Sequence, residues 1–332
     1  MNTVLFLTIL VVACALIFDF INGFHDTANA IATSVSTRAL KPRTAIMMAA
    51  IMNFVGALTF TGVAQTISKD IVDPFTLENG SLVILAALIS AIAWNLITWY
   101  YGIPSSSSHA LIGSIAGAAI AAAGFGILNY QGFIKIMEAL IFSPFIALFG
   151  GFIMMTIFRV VLKNRNLFKA NQRIRYMQIG TAALQSFTHG TNDAQKAMGI
   201  ITMALIAANL QTGDDIQLWV RIAAATAMGL GTSIGGYKII KTVGGKIMKI
   251  RPVNGAAADL NSAIIIFGAT LLHLPVSTTH VISSSIMGVG AAQRVRDVNW
   301  GIAQRIVMTW IITLPISALF AALVYYILSL IF

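Results

Sequence analysis

Two aspartates, Asp26 and Asp193, are the residues of this sequence best suited to bind an ion, because each lies in a long apolar stretch. If those stretches cross a membrane, a charged carboxylate there costs roughly 2.5 to 3.5 kcal/mol and normally faces a partner or a cavity. Glycines and small amides surround both aspartates, namely Asn22, Gly23, Asn29, Gly190 and Asn192. Such residues let a helix open and expose carbonyl oxygens to a cation. The two motifs therefore predict cation sites at helix breaks over 22–29 and 190–197.

A buried base is the alternative partner for each aspartate. Lys196 lies three residues after Asp193, within reach along a helix, whereas Asp26 has only His25 beside it. The cation interpretation is therefore favoured, most clearly for Asp26. Sodium suits carboxylate, amide and carbonyl oxygens, and a proton neutralises the same carboxylate equally well. The sequence leaves the choice between Na⁺ and H⁺ open. Further acids in apolar surroundings are secondary candidates: Asp19, Glu138 and Asp259.

Two runs of hydroxyl residues point to a second ligand, which would be negatively charged. Each follows a proline and ends in a histidine: Pro104-Ser-Ser-Ser-Ser-His109 and Pro275-Val-Ser-Thr-Thr-His280. A helix that begins in this way leaves free N–H groups, which together with the helix dipole form an anion site. One such run can simply cap a kinked helix, but two symmetric runs indicate a shared oxyanion. The candidate ligands are Ser105, Ser106, Ser107, Ser108, Ser277, Thr278 and Thr279, with Thr27 beside Asp26.

The five histidines lie in or near these motifs. No two of them have the three- or four-residue spacing of a metal site on a helix, so we expect no transition metal and no organic cofactor. We expect His109 and His280 to brace the helix breaks through hydrogen bonds. The single cysteine, Cys14, excludes an intrachain disulfide and a thiolate cluster.

Composition places these motifs in a membrane protein. Of the 332 residues, 58% are hydrophobic and only 10% are charged, whereas a soluble domain carries roughly 25% charged residues. Apolar segments long enough to span a bilayer recur along the whole chain. The net charge of +10 sits in short clusters between those segments, which argues against a nucleic-acid-binding face. We predict an all-α polytopic membrane protein.

The charge clusters predict the topology of that protein. Basic residues concentrate at 38–43, 159–175 and 238–251, and the positive-inside rule places these three loops in the cytoplasm. Acids concentrate in two other loops, which are then external: Asp70, Asp73 and Glu78 in one, Asp214 and Asp215 in the other. This alternation requires the segments at about 81–123 and 255–292 to return to the side on which they start. We therefore predict two re-entrant helical hairpins, with both termini outside the cell.

An internal repeat relates the two halves of the sequence. Residues 20–30 resemble residues 187–197 at a shift of 167, and residues 104–117 resemble residues 275–288 at a shift of 171. The second pair is identical at six of 14 positions, where average composition gives roughly one. A basic loop follows the first copy and an acidic loop follows the second, so the halves are predicted to be inverted. The predicted units are a first repeat at 1–162, a basic cytoplasmic linker at 163–175 and a second repeat at 176–332.

Inverted repeats with discontinuous helices are the architecture of secondary transporters, whose substrate lies where the repeats meet. An oxyanion beside two carboxylates is repelled unless a cation or proton lies between them, so symport is the predicted mechanism. A passive channel fits less well, because acids that close a midplane site suit alternating access. A membrane enzyme lacks support, since no Gly-x-Ser-x-Gly turn or metal-ligand pair accompanies the serines. A homodimer is compatible with the sequence, but no feature requires one.

The segments Gly23-Phe-His-Asp-Thr-Ala-Asn-Ala30 and Gly190-Thr-Asn-Asp-Ala-Gln-Lys-Ala197, together with the two hydroxyl runs, resemble the duplicated signature of the inorganic phosphate transporter family. The resemblance spans nearly the whole chain, and the sequence looks most like the compact bacterial low-affinity phosphate permeases. It implies import of inorganic phosphate across the plasma membrane, driven by a gradient of Na⁺ or H⁺. Some similar members are sulfate permeases, so sulfate is the alternative substrate.

The resemblance also implies roles for individual residues. The family's aspartates fall on Asp26 and Asp193, its amides on Asn29 and Asn192, and its hydroxyl loops on 105–108 and 277–279. Together with Asn22, these aspartates and amides form the expected coupling-cation site, with sodium at Asp26 and Asp193. Asn29 aligns with Lys196, so the second half is expected to carry a fixed positive charge where the first binds an ion, or to contact phosphate directly. Gln195 and Lys196 are therefore expected to support the site.

Overall fold

The computed structural model describes residues 3–72, 79–163 and 167–332, except for the side chains of Thr3, Thr27 and residues 167–171. Within this part the chain forms two successive sets of six α-helices. The first set is α1 (Thr3–Ser36), α2 (Pro42–Ala57), α3 (Gly62–Lys69), α4 (Gly80–Tyr101), α5 (Ser107–Ala123) and α6 (Tyr130–Leu162). The second set is α7 (Leu167–Ala207), α8 (Leu218–Ile234), α9 (Tyr237–Gly245), α10 (Pro252–Leu271), α11 (Thr278–Gln293) and α12 (Trp300–Ser329). A short 3₁₀ helix follows α5 at Phe125–Ile127 and α11 at Val295–Asp297.

The helices of the described part include several that can cross a membrane. Four are long and apolar enough, namely α1, α4, α6 and α12, and a fifth span forms if α2 and α3 are counted together across their 69° bend. The outer surfaces are apolar, since Phe149 on α6 is 65% exposed and Leu319 on α12 is 73% exposed. Contiguous exposed apolar surface of this kind marks contact with lipid or a partner. The predicted all-α polytopic membrane fold is confirmed.

The helix breaks predicted at the two hydroxyl runs are present. α4 ends at Tyr101 and α5 begins at Ser107, while α10 ends at Leu271 and α11 begins at Thr278. The two helices of each pair pack against each other, so both segments are helical hairpins. Whether these hairpins re-enter the membrane from one side stays a prediction. Of the loops used to predict topology, Asp73, Glu78 and residues 164–166 lie outside the described residues.

The helix breaks predicted over 22–29 and 190–197 are wrong. α1 and α7 run through both motifs without interruption. A side chain at Gly23 would collide with the carbonyl oxygen of Met228, and one at Gly190 would collide with that of Asn53. Both glycines therefore allow neighbouring helices to approach closely, a common use of glycine in membrane proteins. Because the backbone stays helical, a cation in these motifs has to be held by side chains.

The two sets of helices interlock. α1 packs against α8 and α2 against α7, while α12 packs against α5 and α6 against α11. Glycines again permit these crossings, because Gly117 faces the backbone of Ala318 and Gly288 faces that of Leu148. Each half thus supplies packing surfaces for the other. Their opposite orientation in a membrane, and the predicted limits of the repeats, stay predictions.

A buried polar layer lies between two apolar cores. One core includes α1 as far as Phe18, and the other includes α1 from Ala28 onward. Between them α1 buries Asp19, Asn22 and Asp26. The interlocked helices thus bring the sequence motifs together in the interior.

Candidate functional site

Asp26 lies on α1, where that helix meets the tips of both hairpins, and its residue surface is 1% exposed. Ser107 Oγ donates to Asp26 Oδ2 at 2.5 Å, and Thr279 Oγ1 donates to Asp26 Oδ1 at 3.1 Å. His25 Nδ1 lies 2.6 Å from the same Oδ1. One carboxylate therefore joins the first turns of α5 and α11, which come from different halves of the chain.

A stripe of polar residues extends from Asp26 along α1. Asn29 Nδ2 donates to Thr279 Oγ1 at 2.9 Å, but Asn29 Oδ1 is buried without a hydrogen-bond partner among the described residues. The same holds for the side-chain oxygen of Asn22, whereas the Asn22 amide interacts with the buried carboxylate of Asp19. The spacing of these four residues, three, four and three, places them on one face of the helix. Unsatisfied carboxylate and amide oxygens are the ligands that a hard cation takes.

Asp193 is fully buried on α7 and already faces a cation of the protein itself. Lys196, also fully buried, forms an ion pair with Asp193 Oδ1. His189 Nε2 lies 3.1 Å from Asp193 Oδ2, and Thr278 Oγ1 donates to that oxygen at 2.9 Å. The pairing of this aspartate with a buried base, the alternative offered by the sequence, is present. A sodium ion here would share the carboxylate with Lys196.

Asn192 positions the second hairpin rather than facing Asp193. Its Nδ2 donates to Thr270 Oγ1 at 3.2 Å and to the Leu274 carbonyl at 3.1 Å. Its Oδ1 accepts a hydrogen bond from Val276 N at 3.3 Å. These three bonds fix the chain between α10 and α11, just before the hydroxyl run begins.

Two other predicted residues lie at the margin of the site. Gln195 Oε1 accepts a hydrogen bond from Ala64 N at 3.1 Å, so this side chain ties α7 to α3. The side chain of Thr27 lies outside the described residues. Gln195 therefore supports the packing around Asp193, and the role of Thr27 stays a prediction.

The hydroxyl runs form the starts of α5 and α11. Ser106 caps α5 by accepting a hydrogen bond from His109 N at 3.0 Å, and Ser277 caps α11 by accepting one from His280 N at 3.3 Å. The first four N–H groups of an α-helix have no acceptor within it, and the cap satisfies one of them in each helix. Each hairpin tip therefore presents backbone donors and the positive end of a helix dipole, which is the basis of an anion site.

The hydroxyl groups in these runs divide into two sets. Ser105 Oγ donates to Thr98 Oγ1 at 2.7 Å, and Thr98 Oγ1 lies 3.1 Å from His25 Nε2. Ser108 Oγ donates to the carbonyl of Val276 at 3.0 Å, which links the two hairpins. These serines brace the tips. The hydroxyls that reach the aspartates are those of Ser107, Thr278 and Thr279.

His109 and His280 meet where the two hairpins face each other. Their ring centroids are 4.6 Å apart, and His280 stacks on Trp310 at 3.9 Å. His109 Nδ1 lies 2.9 Å from Ser106 Oγ, as expected for a residue that braces the first break. His280 instead holds the second break through ring stacking.

Three residues at the site were missed by the sequence motifs. Thr98 on α4 contacts His25, Thr270 on α10 contacts Asn192, and Asn53 Oδ1 on α2 lies 3.0 Å from His189 Nδ1. Each is a polar residue within an apolar helix. Such a residue needs a polar partner in a membrane interior, and this is the one signal that could have indicated them.

Three comparisons with known proteins bear on this arrangement. The model of the phosphate transporter family matches residues 22–321. A Bacillus subtilis protein described as a probable low-affinity inorganic phosphate transporter is 74% identical over the full length of both chains. A Rhizobium meliloti protein with the same description is 45% identical, over 95% of this chain and 94% of its own. A solved structure described as the sodium-dependent phosphate transporter superposes with a TM-score of 0.91 at 26% identity, covering 98% of this chain and 100% of that one.

Proposed function

The chain belongs to the phosphate transporter family, and from that membership we propose that it imports inorganic phosphate across the plasma membrane by symport with Na⁺. The hydroxyl and amide donors of both hairpin tips would bind the phosphate, and Asp26 with its neighbours on α1 would bind the cation. The observation that carries this proposal is the convergence on Asp26 of one hydroxyl from each hairpin, Ser107 and Thr279.

Those two hydroxyls supply a reason for coupling. A hydroxyl has one proton to donate, so Ser107 and Thr279 cannot donate both to Asp26 and to a phosphate oxygen. When phosphate takes these donors, the buried carboxylate loses two hydrogen bonds and keeps its contact with His25, and each unmet hydrogen bond of a buried group costs about 1 to 3 kcal/mol, or more for a charged group. A cation at Asp26 would offset that cost and would also screen the phosphate charge. Binding of each ion therefore favours binding of the other.

The polar stripe on α1 favours Na⁺ over H⁺ as the coupling ion. A proton needs a single carboxylate oxygen, whereas Asn22 and Asn29, one turn before and one turn after Asp26, each offer a side-chain oxygen that has no hydrogen-bond partner among the described residues. Several oxygen ligands from carboxylates and amides are typical of a metal cation. The description of the structural relative as sodium-dependent supports the same choice.

In the second half, Lys196 would take the place of the bound cation. It is paired with Asp193, lies fully buried, and stands where the first half has Asn29. Thr278, which donates to Asp193, would be free to turn toward the phosphate. The site would then hold one exchangeable cation at Asp26 and one fixed cation at Asp193.

Alternating access would follow from the repeat. Two inverted halves can exchange conformations and so expose a site between them first to one side and then to the other. On this proposal the basic loops face the cytoplasm and both termini lie outside. The interlocked helices would move as packed units around the polar layer.

The test is uptake of labelled phosphate by proteoliposomes that contain the purified protein. We expect uphill accumulation when an inward Na⁺ gradient is imposed, and little when only a pH gradient is imposed. An excess of sulfate should leave uptake unchanged, because carboxylate acceptors recognise the proton that phosphate retains and sulfate lacks. Uptake driven only by the pH gradient would show that the coupling ion is H⁺ and not Na⁺. Strong competition by sulfate would identify a sulfate permease, and flux that never runs uphill would identify a channel.

A further inference from the structure

A pocket of about 460 Å³ lies at the ends of α6 and α11 and shares no lining residue with the site around the two aspartates. Three separate segments of the chain line it. Arg159 comes from the last turn of α6, Lys249 and Arg251 come from the connection between α9 and α10, and Arg294 and Asp297 follow α11. The fold therefore brings together basic residues that are far apart in sequence.

The charge in this pocket is unbalanced. Four cationic side chains face one carboxylate, and no ion pair involving Asp297 is formed in the described part of the chain. Arg159 is held in place, because its guanidinium donates to the carbonyl of Ala292 at 2.7 Å. Like charges confined in one pocket repel each other, and a bound anion relieves that repulsion.

The positive-inside rule does not by itself account for the pocket. That rule explains basic residues near the cytoplasmic ends of membrane helices. It does not explain why basic residues from three segments line one pocket. The corresponding segment of the first half, the 3₁₀ helix after α5, lacks such charges. This helix, Phe125–Ile127, carries no charge, whereas the second, Val295–Asp297, carries an arginine and an aspartate.

The surroundings of the pocket identify the kind of anion. Arg159 lies three residues before the end of α6, which is long and apolar enough to cross a membrane. Next to the basic residues stand exposed apolar side chains, with Val160 70%, Val161 67% and Val295 60% exposed. A ligand that suits this combination has an anionic head and apolar chains. Basic pockets at the cytoplasmic ends of membrane helices bind lipid headgroups in this way.

We propose that this pocket binds the phosphodiester headgroup of an anionic phospholipid, whose acyl chains cover the valines beside it. The site is separate from the substrate site, so its occupancy does not depend on the proposed transport mechanism. It would anchor the end of α6 and the connection before α10 to the lipid leaflet that the basic loops face.

The test is native mass spectrometry of the purified full-length protein titrated with phosphatidylglycerol or with phosphatidylcholine. We expect the wild-type protein to bind phosphatidylglycerol more tightly. The double variant Lys249→Gln/Arg251→Gln should bind it roughly tenfold or more weakly, because each basic residue near an anionic headgroup contributes to affinity. The matched control, Lys41→Gln/Arg43→Gln, removes the same charge from two exposed residues at the start of α2 and should change affinity less than threefold.

Three results would overturn the proposal. One is equal weakening in both double variants, which would indicate general surface charge. Another is equal affinity for the two lipids in the wild-type protein. The third is displacement of the lipid by millimolar inorganic phosphate, which would make the pocket a site for the free ion. If the first double variant does not fold, Arg159→Gln/Arg294→Gln removes the same charge from two other segments of the pocket.

Discussion

Asp26 and Asp193 occupy corresponding positions in the two halves of the molecule, but the charges of the two aspartates are compensated differently. Both are buried and both accept a hydrogen bond from a hydroxyl of α11. Each aspartate has a histidine nearby, but Asp193 is also paired with Lys196, while Asp26 lies between Asn22 and Asn29, whose side-chain oxygens have no hydrogen-bond partner among the described residues. The lysine itself comes from one aligned position, where the first half has Asn29 and the second has Lys196, while Asp19 and Asn22 align with Ser186 and His189.

This comparison shows how a duplicated scaffold can acquire two kinds of charge compensation. The geometry around the aspartates is shared, because the same helices and the same glycine crossings recur in both halves. A fixed lysine makes one aspartate a permanent part of the structure. On the proposed function, an asparagine leaves the other aspartate dependent on an ion from outside. Substitutions that exchange or remove these charges therefore test the comparison directly.

The largest expected effect is on stability, in Asp193→Asn. This change leaves the buried Lys196 without its carboxylate partner, and breaking a buried ion pair from one side costs about 3 to 5 kcal/mol. Thermal unfolding of the purified protein would measure the loss. The double variant Asp193→Asn/Lys196→Met should recover most of it, because no buried charge is then left alone. A single variant as stable as the wild-type protein would contradict the assignment.

Asp26→Asn should reduce transport much more than it reduces stability. No buried lysine loses its partner here, and Asn keeps one oxygen acceptor for Thr279, so we expect a loss of about 1 to 2 kcal/mol, smaller than in Asp193→Asn. Sodium-driven phosphate uptake should fall at least about 100-fold, equivalent to roughly 2.7 kcal/mol. The control is Asp214→Asn, which removes an equal charge from an exposed loop where the side chain is 38% accessible. Coupled uptake that survives in Asp26→Asn would remove Asp26 from the cation site.

Substitution of the glycines at which two helices pack closely should destabilise both halves to a similar extent. Gly23→Ala and Gly190→Ala each place a methyl group against the backbone of a neighbouring helix, and overpacking of this kind costs about 1 to 3 kcal/mol. Gly180→Ala and Gly268→Ala are matched controls, because open space surrounds both positions. The controls should be neutral or stabilised by up to about 1 kcal/mol. Thermal unfolding of the four variants would show whether the scaffold is as symmetric as the structure indicates.

The smallest expected effect on transport is a change in ion number in Lys196→Asn, which gives the second half the residue of the first and, without bound Na⁺, leaves the buried Asp193 unpaired. Asp193 would then need a cation from solution, so the Hill coefficient for Na⁺ in phosphate uptake should rise by about one. The reverse change, Asn29→Lys, should lower it. Uptake measured over a range of Na⁺ concentrations at fixed phosphate is the readout. An unchanged coefficient in both variants would show that Lys196 does not stand in for an ion.

The parts of the fold that could be predicted from sequence were those in which a short run of residues determines its own local geometry. A proline followed by hydroxyls gives a helix start, and both hairpin breaks appear where the runs at 104–109 and 275–280 predicted them. Buried aspartates in apolar segments predicted the location of the polar layer. These signals are local, so a single sequence carries them.

The parts that could not be predicted depend on distant contacts. Gly23 and Gly190 were expected to open their helices, but glycine permits close packing just as it permits a break, and the neighbouring helix decides between the two. Asn53, Thr98 and Thr270 reach the site from helices whose placement the motifs do not specify. The pairing of Lys196 with Asp193 could be anticipated, since both lie on one helix turn.

The exchange of packing partners between the halves has a consequence for biosynthesis. When the ribosome has made α1, α2 and α6, the helices that cover them, α8, α7 and α11, do not yet exist. Until the second half has been synthesised, the small-residue faces of the first six helices therefore contact lipid. The complete tertiary structure can form only when the last helix, which packs against α5, has left the translocon. Separately expressed halves should accordingly be degraded singly and protected when they are produced together.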